Sequence, residues 1–509
     1  MNIIKRSAAV LLCALMILPA LAACSEEGQN PAVTTNADTQ PGAAESTAPE
    51  TTVEETTLRS QVKDSVPEDL KFDGQTVRVY HRDAANVIAY DLVGTDNSGD
   101  YVKDAVWYRN QTIENRLGVT FSFTPVAASG ISPTASAIRA VVMSNSDEFD
   151  YIVSTGNTVI TQSMDTYMRD LTEMPYADYN STWWWKEAMD SVSLDGKSYR
   201  YLFGDMLIYN FIQTGVVYYN KALYEDVFGN PDEPYELVMN GEWTIDKLTE
   251  LTAAAYADTN GNGIEDVGDR FGSLRTDKQT NEMTHFLAGL DLKLYHRDEN
   301  GSLIIDFDQE AAVTAIEKLS KYNNDTVGVF HSDKNIDGGS GNYFKQRYSV
   351  FFPSRLYQVI GTFRDMEDPY GILPYPKMSV EQENYISLFH NSGSVLCVPQ
   401  TVSDERMNLV GAVLEASNAE SWRTVTPLFL ESALKMKYSQ DEMSGKVIDI
   451  VVSGVTKNTL HEYEAYTSDI FSQTLINSIV TGNNNFASAY KKLQAAAQKT
   501  WDKKVDSLK

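Results

Sequence analysis

From Gln75 onward, stretches with the two-residue period of a strand alternate with stretches of helical period, and that alternation confines the chain to an α/β architecture. Gln75 to His81 (QTVRVYH) alternates apolar and polar residues, and Tyr101 to Leu117 carries apolar residues at helical spacing until Gly118 stops it. Val119 to Val126 then reads as a strand, Pro133 to Met143 as a helix and Phe149 to Ser154 as a strand. A second run of the same kind has a strand over Thr214 to Asn220, a helix over Thr244 to Ala257 opened by a Thr cap, and a strand over Arg347 to Pro353. Asn485 to Leu508, rich in Ala, Lys and Gln, reads as a long surface helix. Such an order predicts largely parallel sheets covered by helices, with ligands held beyond the carboxyl ends of the strands. At 509 residues and 42% hydrophobic, the chain has material for two or more cores.

The first 70 residues read differently. Lys5 and Arg6 precede a mostly apolar stretch from Ser7 to Ala20, which Pro19 interrupts and which is too short to span a bilayer comfortably. Residues 1 to 23 therefore read as an export signal, and Leu21-Ala22-Ala23-Cys24 resembles the bacterial lipobox, in which a diacylated cysteine becomes the new N-terminus. Cys24 is the expected lipidation site, with ordinary secretion and a chance cysteine as the alternative. Acyl chains contribute about 0.8 kcal/mol per buried CH2, so the expected protein is extracytoplasmic and anchored to the bacterial cell membrane without crossing it. From Ser25 to Lys71 there is no aromatic residue. So little apolar area does not offset chain entropy, so residues 24 to 70 are expected to be a disordered spacer, with order beginning at Phe72.

Composition removes several classes of function. The net charge of −28, with no clustering of Lys and Arg, argues against a nucleic-acid partner. Three cysteines (Cys13, Cys24, Cys397) do not make a disulfide scaffold or a multi-cysteine metal site, and Cys397, in the apolar run Ser394 to Val398, reads as a small buried hydrophobe. Catalytic motifs fail residue by residue. Asp195-Gly196-Lys197-Ser198 ends like a phosphate-binding loop, but Ser191 stands where its first glycine belongs. His461-Glu462 opens a zinc-protease pattern with Ala465 in place of the second histidine, and Gly338-Gly339-Ser340-Gly341-Asn342 lacks the last glycine of a nucleophile elbow. No catalytic residue and no organic cofactor is assigned.

One loop suggests a metal. Asp258, Asn260, Asn262, Asp266 and Asp269 place oxygen side chains at loop positions 1, 3, 5, 9 and 12, with Gly263 at 6 and the Ile264 carbonyl at 7. The pattern suits a structural calcium ion, although Asp269 stands where an EF-hand has a bidentate Glu. The alternative is an Asx-rich turn that satisfies its own backbone.

Several stretches resemble a known family. Gly215 to Tyr224 (GVVYYNKALY), Gly241-Glu242-Trp243-Thr244 before a helix, Tyr370 to Lys377 (YGILPYPK) and the helix around Arg109-Asn110 are similar, in this order, to segments of the carbohydrate-binding, maltodextrin-binding-protein-like solute-binding proteins of bacterial ABC importers. The resemblance implies a two-lobed periplasmic-binding-protein type II fold with a hinge and an interlobe cleft. It places residues 71–212 and 344–420 in lobe 1 and 213–343 and 421–509 in lobe 2. It also implies a monomer that captures a saccharide and delivers it to ABC permease subunits. A peptide or another polar solute, and a surface glycoside hydrolase, are the alternatives.

Saccharides ask for aromatic platforms and polar side chains. The candidates are Trp183 and Trp184 from the Trp183-Trp184-Trp185 run, Trp422 lining the second lobe, Arg82 and Asp83 after the first strand, and Asn157 after the third, beside Thr155 and Gly156. Asp205 and Gln213 near the hinge and Arg355 beyond the strand ending at Pro353 complete the set. Trp243, by the resemblance, packs a helix start in the core.

Overall fold

The computed structural model describes residues 59–275, 280–292, 295–306, 308–331, 339–430, 442–455, 471–483 and 485–508. The export signal, Cys24 and the pair His461-Glu462 lie outside the described residues. The described chain builds two sheets. In the first, β1 (Gln75–His81), β2 (Val119–Pro125) and β3 (Tyr151–Thr155) are parallel and β11 (Ser394–Cys397) joins β3 antiparallel, in the order β11-β3-β1-β2. In the second, β4 (Gly215–Asn220), β5 (Phe271–Arg275), β8 (Val329–His331), β9 (Ser349–Arg355) and β10 (Tyr370–Leu373) take the order β10-β4-β9-β5-β8. A small hairpin, β6 (His296–Arg297) and β7 (Leu303–Ile304), stands apart. The expected parallel pairing holds for β1, β2 and β3, whereas β4 runs antiparallel to both its neighbours.

The helices that matter for the site are α1 (Tyr101–Leu117), α2 (Ile131–Met143), α3 (Tyr209–Ile212), α4 (Ile245–Ala255), α5 (Asp404–Glu420), α6 (Glu442–Val455) and α7 (Phe486–Asp506). Local chemistry sets their ends. The Asp100 carboxylate accepts from the Val102 and Lys103 amides at the start of α1, a cap worth about 1 kcal/mol, and Gly118 closes the helix at φ 63°. Thr244 caps α4 through the Lys247 amide. Trp243 is fully buried, with its indole N–H on the Pro374 carbonyl at 2.9 Å. Backbone bonds from Ile245 to Lys377 and from Lys377 to Trp243 tie this helix start to the chain after β10. β4 divides two cores, because Val216 and Tyr218 face one cluster and Val217 and Tyr219 the other.

Three expectations need correction. The spacer does not extend to residue 70, because Val66 is only 3% exposed within the first core and Asp64 pairs with Arg116 and Arg423. Val66, the paired Asp64 and the Ser65 hydroxyl on Glu415 help fix this stretch without any aromatic residue of its own. The segment from 344 onward does not begin in lobe 1, because β9 sits between β4 and β5 and β10 flanks β4, so the chain rejoins the first sheet only at β11. Trp422 does not line the second lobe. The chain after α5 continues through Ser421–Val425 against α1, which leaves Trp422 at the edge of the first core.

Candidate functional site

Two segments cross between the sheets side by side. Gln213-Thr214 leads from α3 into β4, and Leu388 to His390 leads toward β11. The Gly215 amide donates to the Leu388 carbonyl at 2.9 Å and the His390 amide to the Gln213 carbonyl at 3.0 Å. Polar side chains gather there for a topological reason. The register Gly215↔Arg355 sets the carboxyl end of β9 against the start of β4, and Ser394↔Thr155 sets the start of β11 against the carboxyl end of β3. Arg355 accordingly donates to Gln213 Oε1 at 2.6 Å, with its guanidinium 5.0 Å from the Tyr357 ring centroid. Ser392 reaches the same Gln213 oxygen at 3.4 Å and contacts His390 Nδ1 at 2.7 Å. Asn157, in the short turn capped by Thr155, donates to Asn391 Oδ1 at 2.9 Å.

Arginines mark the neighbouring strand ends. Arg275 closes β5 fully buried, with Nε on Glu282 at 3.3 Å and Nη2 without a partner. Arg82, after β1, lies 5.5 Å over the Tyr209 ring, and its Nε has no partner. Burial lowers the Arg82 pKa, against the pull of Tyr209 and Asp91. Asp83 is exposed beside it.

A second cluster is aromatic. Trp183, Trp184 and Trp185 are 3%, 4% and 3% exposed, and two buried carboxylates hold their indole N–H groups. Glu415 accepts from Trp183 at 3.2 Å and from Trp184 at 2.7 Å, while Asp205 accepts from Trp185 at 2.8 Å and from the Thr426 hydroxyl at 2.8 Å. Burial raises both acids, Asp205 to about 6, against the hydrogen bonds that lower them. Trp184 pairs with Gly204, where a Cβ would meet Asn418 Oδ1 at 2.3 Å, so the close approach there requires glycine. Trp184, Trp185, Asp205, Phe211 and Trp422 line a cavity of about 440 Å3, and Trp422 packs 5.9 Å from Trp183. That volume lies within the usual range for a small-molecule site.

α3 joins the two clusters. Tyr209 lies under Arg82, the Asn210 side-chain Nδ2 donates to the Ser394 carbonyl at 2.9 Å, Phe211 packs 4.8 Å from Trp185, and Gln213 follows the helix directly. Beneath it, Asp91 accepts from the Tyr209 amide at 2.7 Å, and burial raises its pKa to about 7 despite bonds from Ser394 and Tyr209 and the charges of Arg109 and Arg82.

Seven of the nine expected ligand residues thus fall into two groups, while Arg82 lies over Tyr209 and Asp83 is exposed. Gln213 and Arg355 meet at the strand crossing, with Asn157 held on Asn391 beside it. Asp205, Trp184 and Trp422 share the cavity, while Trp183 packs behind it. Arg275, Asn391, Ser392 and Glu415 went unanticipated. Arg275 ends an apolar strand as Arg355 does, a signal the sequence offered, whereas Glu415 sits among helical residues with nothing local to mark it.

The loop 258–269 bonds its own amides. Asp258 accepts from the Gly261 and Gly263 amides at 2.6 and 2.8 Å, and Asp266 from the Asn260 and Asn262 side chains at 2.8 Å each. Asp269 accepts from the Thr259 amide at 3.1 Å and the Tyr256 hydroxyl at 3.0 Å. The donor set is all oxygen, which suits a hard cation, but Asn260 and Asn262 would have to turn their oxygens inward to hold one. Among the described residues, no group of three or more His, Cys, Asp or Glu side chains converges as a metal site.

No protein-family model matches this sequence, and no curated protein matches it. Solved structures do. The chain is similar to the cyclic α-maltosyl-1,6-maltose-binding protein of Arthrobacter globiformis, with a TM-score of 0.55 at 14% identity over 84% of this chain and 99% of that one. It is also similar to UgpB of Mycobacterium tuberculosis, solved with glycerophosphocholine, with a TM-score of 0.52 at 12% identity over 85% and 100%. These likenesses concern the fold, which is the two-lobed, type II periplasmic-binding-protein arrangement with a cleft between α/β lobes. No described helix is long and apolar enough to cross a membrane.

Proposed function

We propose that this protein is the capture subunit of an ABC importer, closing two lobes over a saccharide and passing it unaltered to the permease. The observation that carries the reading is the strand crossing, where Gln213, Arg355, Asn157 and Asn391 from both sheets converge on the only kind of place where the two lobes can share one guest. Guest binding would favour the closed form by contacting both lobes at once, and the permease would read that shape. Trp422, partly exposed on the cavity wall, supplies an apolar face of the kind a sugar ring packs against. Asp205 and Glu415 are occupied by indole N–H groups, an arrangement suited to holding aromatics rather than to acid–base work. We further propose lipid anchoring at Cys24, action as a monomer, and a calcium ion in the loop 258–269.

A second reading takes a polar phosphodiester as guest. It is favoured by the likeness to UgpB, solved with glycerophosphocholine, and by the arginines at the ends of β5 and β9. A thermal-shift screen separates the two readings, with saccharides, peptides and glycerophosphodiesters compared on the full chain. The expected outcome is a saccharide that raises the melting temperature and is recovered intact by mass spectrometry. A guest recovered cleaved, or stabilisation by no saccharide, removes the first reading.

A further inference from the structure

The segment just ahead of the first strand does more than enter the fold. Asp64, whose side chain is 1% exposed, forks onto Arg116 at 2.6 and 2.7 Å and takes Arg423 at 2.9 Å. Arg116 and Arg423 also grip the backbone on either side, at the Val66 and Val62 carbonyls, each at 2.9 Å. Ser65 donates to Glu415 at 3.3 Å, the carboxylate that holds Trp183 and Trp184. Five residues before Asp64, the Arg59 guanidinium lies 5.0 Å from the Trp422 ring centroid, donates to the Trp422 carbonyl at 3.4 Å, and lines the aromatic cavity. Ser65 and Arg59 thus reach residues that build or back the cavity, while the Asp64 pairs anchor the segment to α1 and to the chain after α5.

We propose that Arg59 to Val66 is a strap that completes the aromatic cavity and that Arg59 is a saccharide-binding residue carried into it. Asp64 and Ser65 position the strap, and Arg59 brings a planar fork of donors beside the one tryptophan of the cavity that is only partly buried. A sugar ring lying against the cavity wall would present hydroxyls to that fork. Docking of the strap and occupancy of the cavity are then coupled, each strengthening the other by the same factor. The inference rests on the saccharide reading above and adds a contact from the tether side of the chain.

The test uses the full chain and, as probe, maltotriose or whichever panel sugar gives the largest thermal shift. Arg59→Ala is expected to weaken probe binding about tenfold with little change in melting temperature. Asp64→Ala is expected to speed hydrogen exchange across residues 59–66 without probe and to weaken binding by a similar factor. Lys247→Ala, which removes only a surface pair with Glu250 far along the chain from the strap, is the control and should do neither. In the unsubstituted protein, probe should slow exchange across the strap. Equal affinity of the Arg59→Ala variant and the unsubstituted chain overturns the strap and leaves the saccharide reading standing. Binding of no sugar by the unsubstituted chain removes both.

Discussion

The aromatic cavity and the strand crossing meet α3 through different residues, Phe211 for the cavity and Asn210 and Gln213 for the crossing, and their polar groups are handled in opposite ways. In the cavity, each indole N–H of the Trp183-Trp184-Trp185 run has a buried carboxylate, so the rings are fixed before any guest arrives. At the crossing and the adjacent strand ends, Arg355 keeps part of its guanidinium open to a guest, and Arg275 and Arg82 each hold an N–H without a partner. The first region is pre-organised and the second keeps donors to spare. Under the proposed reading, shape selection would fall to the tryptophan-built wall and the hydrogen bonds gained on closure to the arginines.

The sharpest way to break this contrast is Glu415→Ala. It strips the acceptor from two buried indole N–H groups, and leaving such donors unsatisfied costs about 1–3 kcal/mol each. A loss of about 2–5 kcal/mol in urea unfolding at pH 7 is expected, with a change in tryptophan emission in the folded state. Glu415→Gln, which keeps one acceptor oxygen, should lose less. If alanine changes stability by under about 0.5 kcal/mol, the tryptophans are held by packing alone and the contrast fails.

Asp205 tests the same idea through pH. Its folded pKa, raised by burial to about 6 from 3.8, means that the folded protein binds the proton more tightly than the unfolded chain. Stability from this group is therefore greatest below about pH 4, falls as pH rises from about 4 to 6, and is flat above that, a difference of roughly 3 kcal/mol. Asp205→Asn should remove that slope from the stability profile measured by urea unfolding at pH steps. A variant profile parallel to the original would mean that Asp205 titrates as an ordinary carboxyl.

The crossing should answer differently. Arg355→Ala removes a half-buried side chain with one hydrogen bond to Gln213, so stability should move by only about 0.5–1.5 kcal/mol. Affinity for the probe sugar should drop by roughly 2 kcal/mol, because a charged hydrogen bond to the guest is lost. Paired calorimetry and unfolding on this variant and on Glu415→Ala would show whether the two regions separate binding from stability. Equal losses in both measurements for both variants would merge them into one structural core.

The sequence made some of this legible and concealed the rest for a physical reason. Local signals worked where periodicity and caps decide. The stretch QTVRVYH is β1 and Tyr101–Leu117 is α1 up to Gly118, while the buried place of Trp243 at the start of α4 followed from the family resemblance. Strand-end logic pointed to Arg355 and Asn157, because any open sheet presents the residues beyond its strand ends. The carboxylates that hold the tryptophans were invisible, since Trp183 and Glu415 are 232 residues apart and neither neighbourhood advertises the other. The same holds for Asp64, whose partner Arg423 is 359 residues away and whose surroundings read as spacer. The lobe borders were misplaced because strand pattern gives existence but not sheet membership. β9 is as apolar as a strand of either sheet, and only its pairing with β4 and β5 assigns it.

The loop 258–269 offers the smallest effect and a useful control, because it repeats the cavity's chemistry at the surface. Its carboxylates, like Glu415 and Asp205, already accept N–H donors, but Asp258 and Asp266 do so among exposed neighbours. A cation must therefore compete with bonds the loop has already made, and must turn Asn260 and Asn262 around to gain their oxygens. Exposed extracellular sites of this kind bind calcium at about 0.1–1 mM, so 1 mM calcium would stabilise the fold by about 1.4 kcal/mol at most. Chelation should lower the melting temperature by a few degrees and Asp258→Ala should abolish that difference, read by calorimetry in metal-free buffer with and without added calcium. An unchanged melting temperature would show that carboxylates saturated by their own amides take no further partner at the surface. The same conclusion would then apply more strongly to Glu415 and Asp205, where the competing donors are buried.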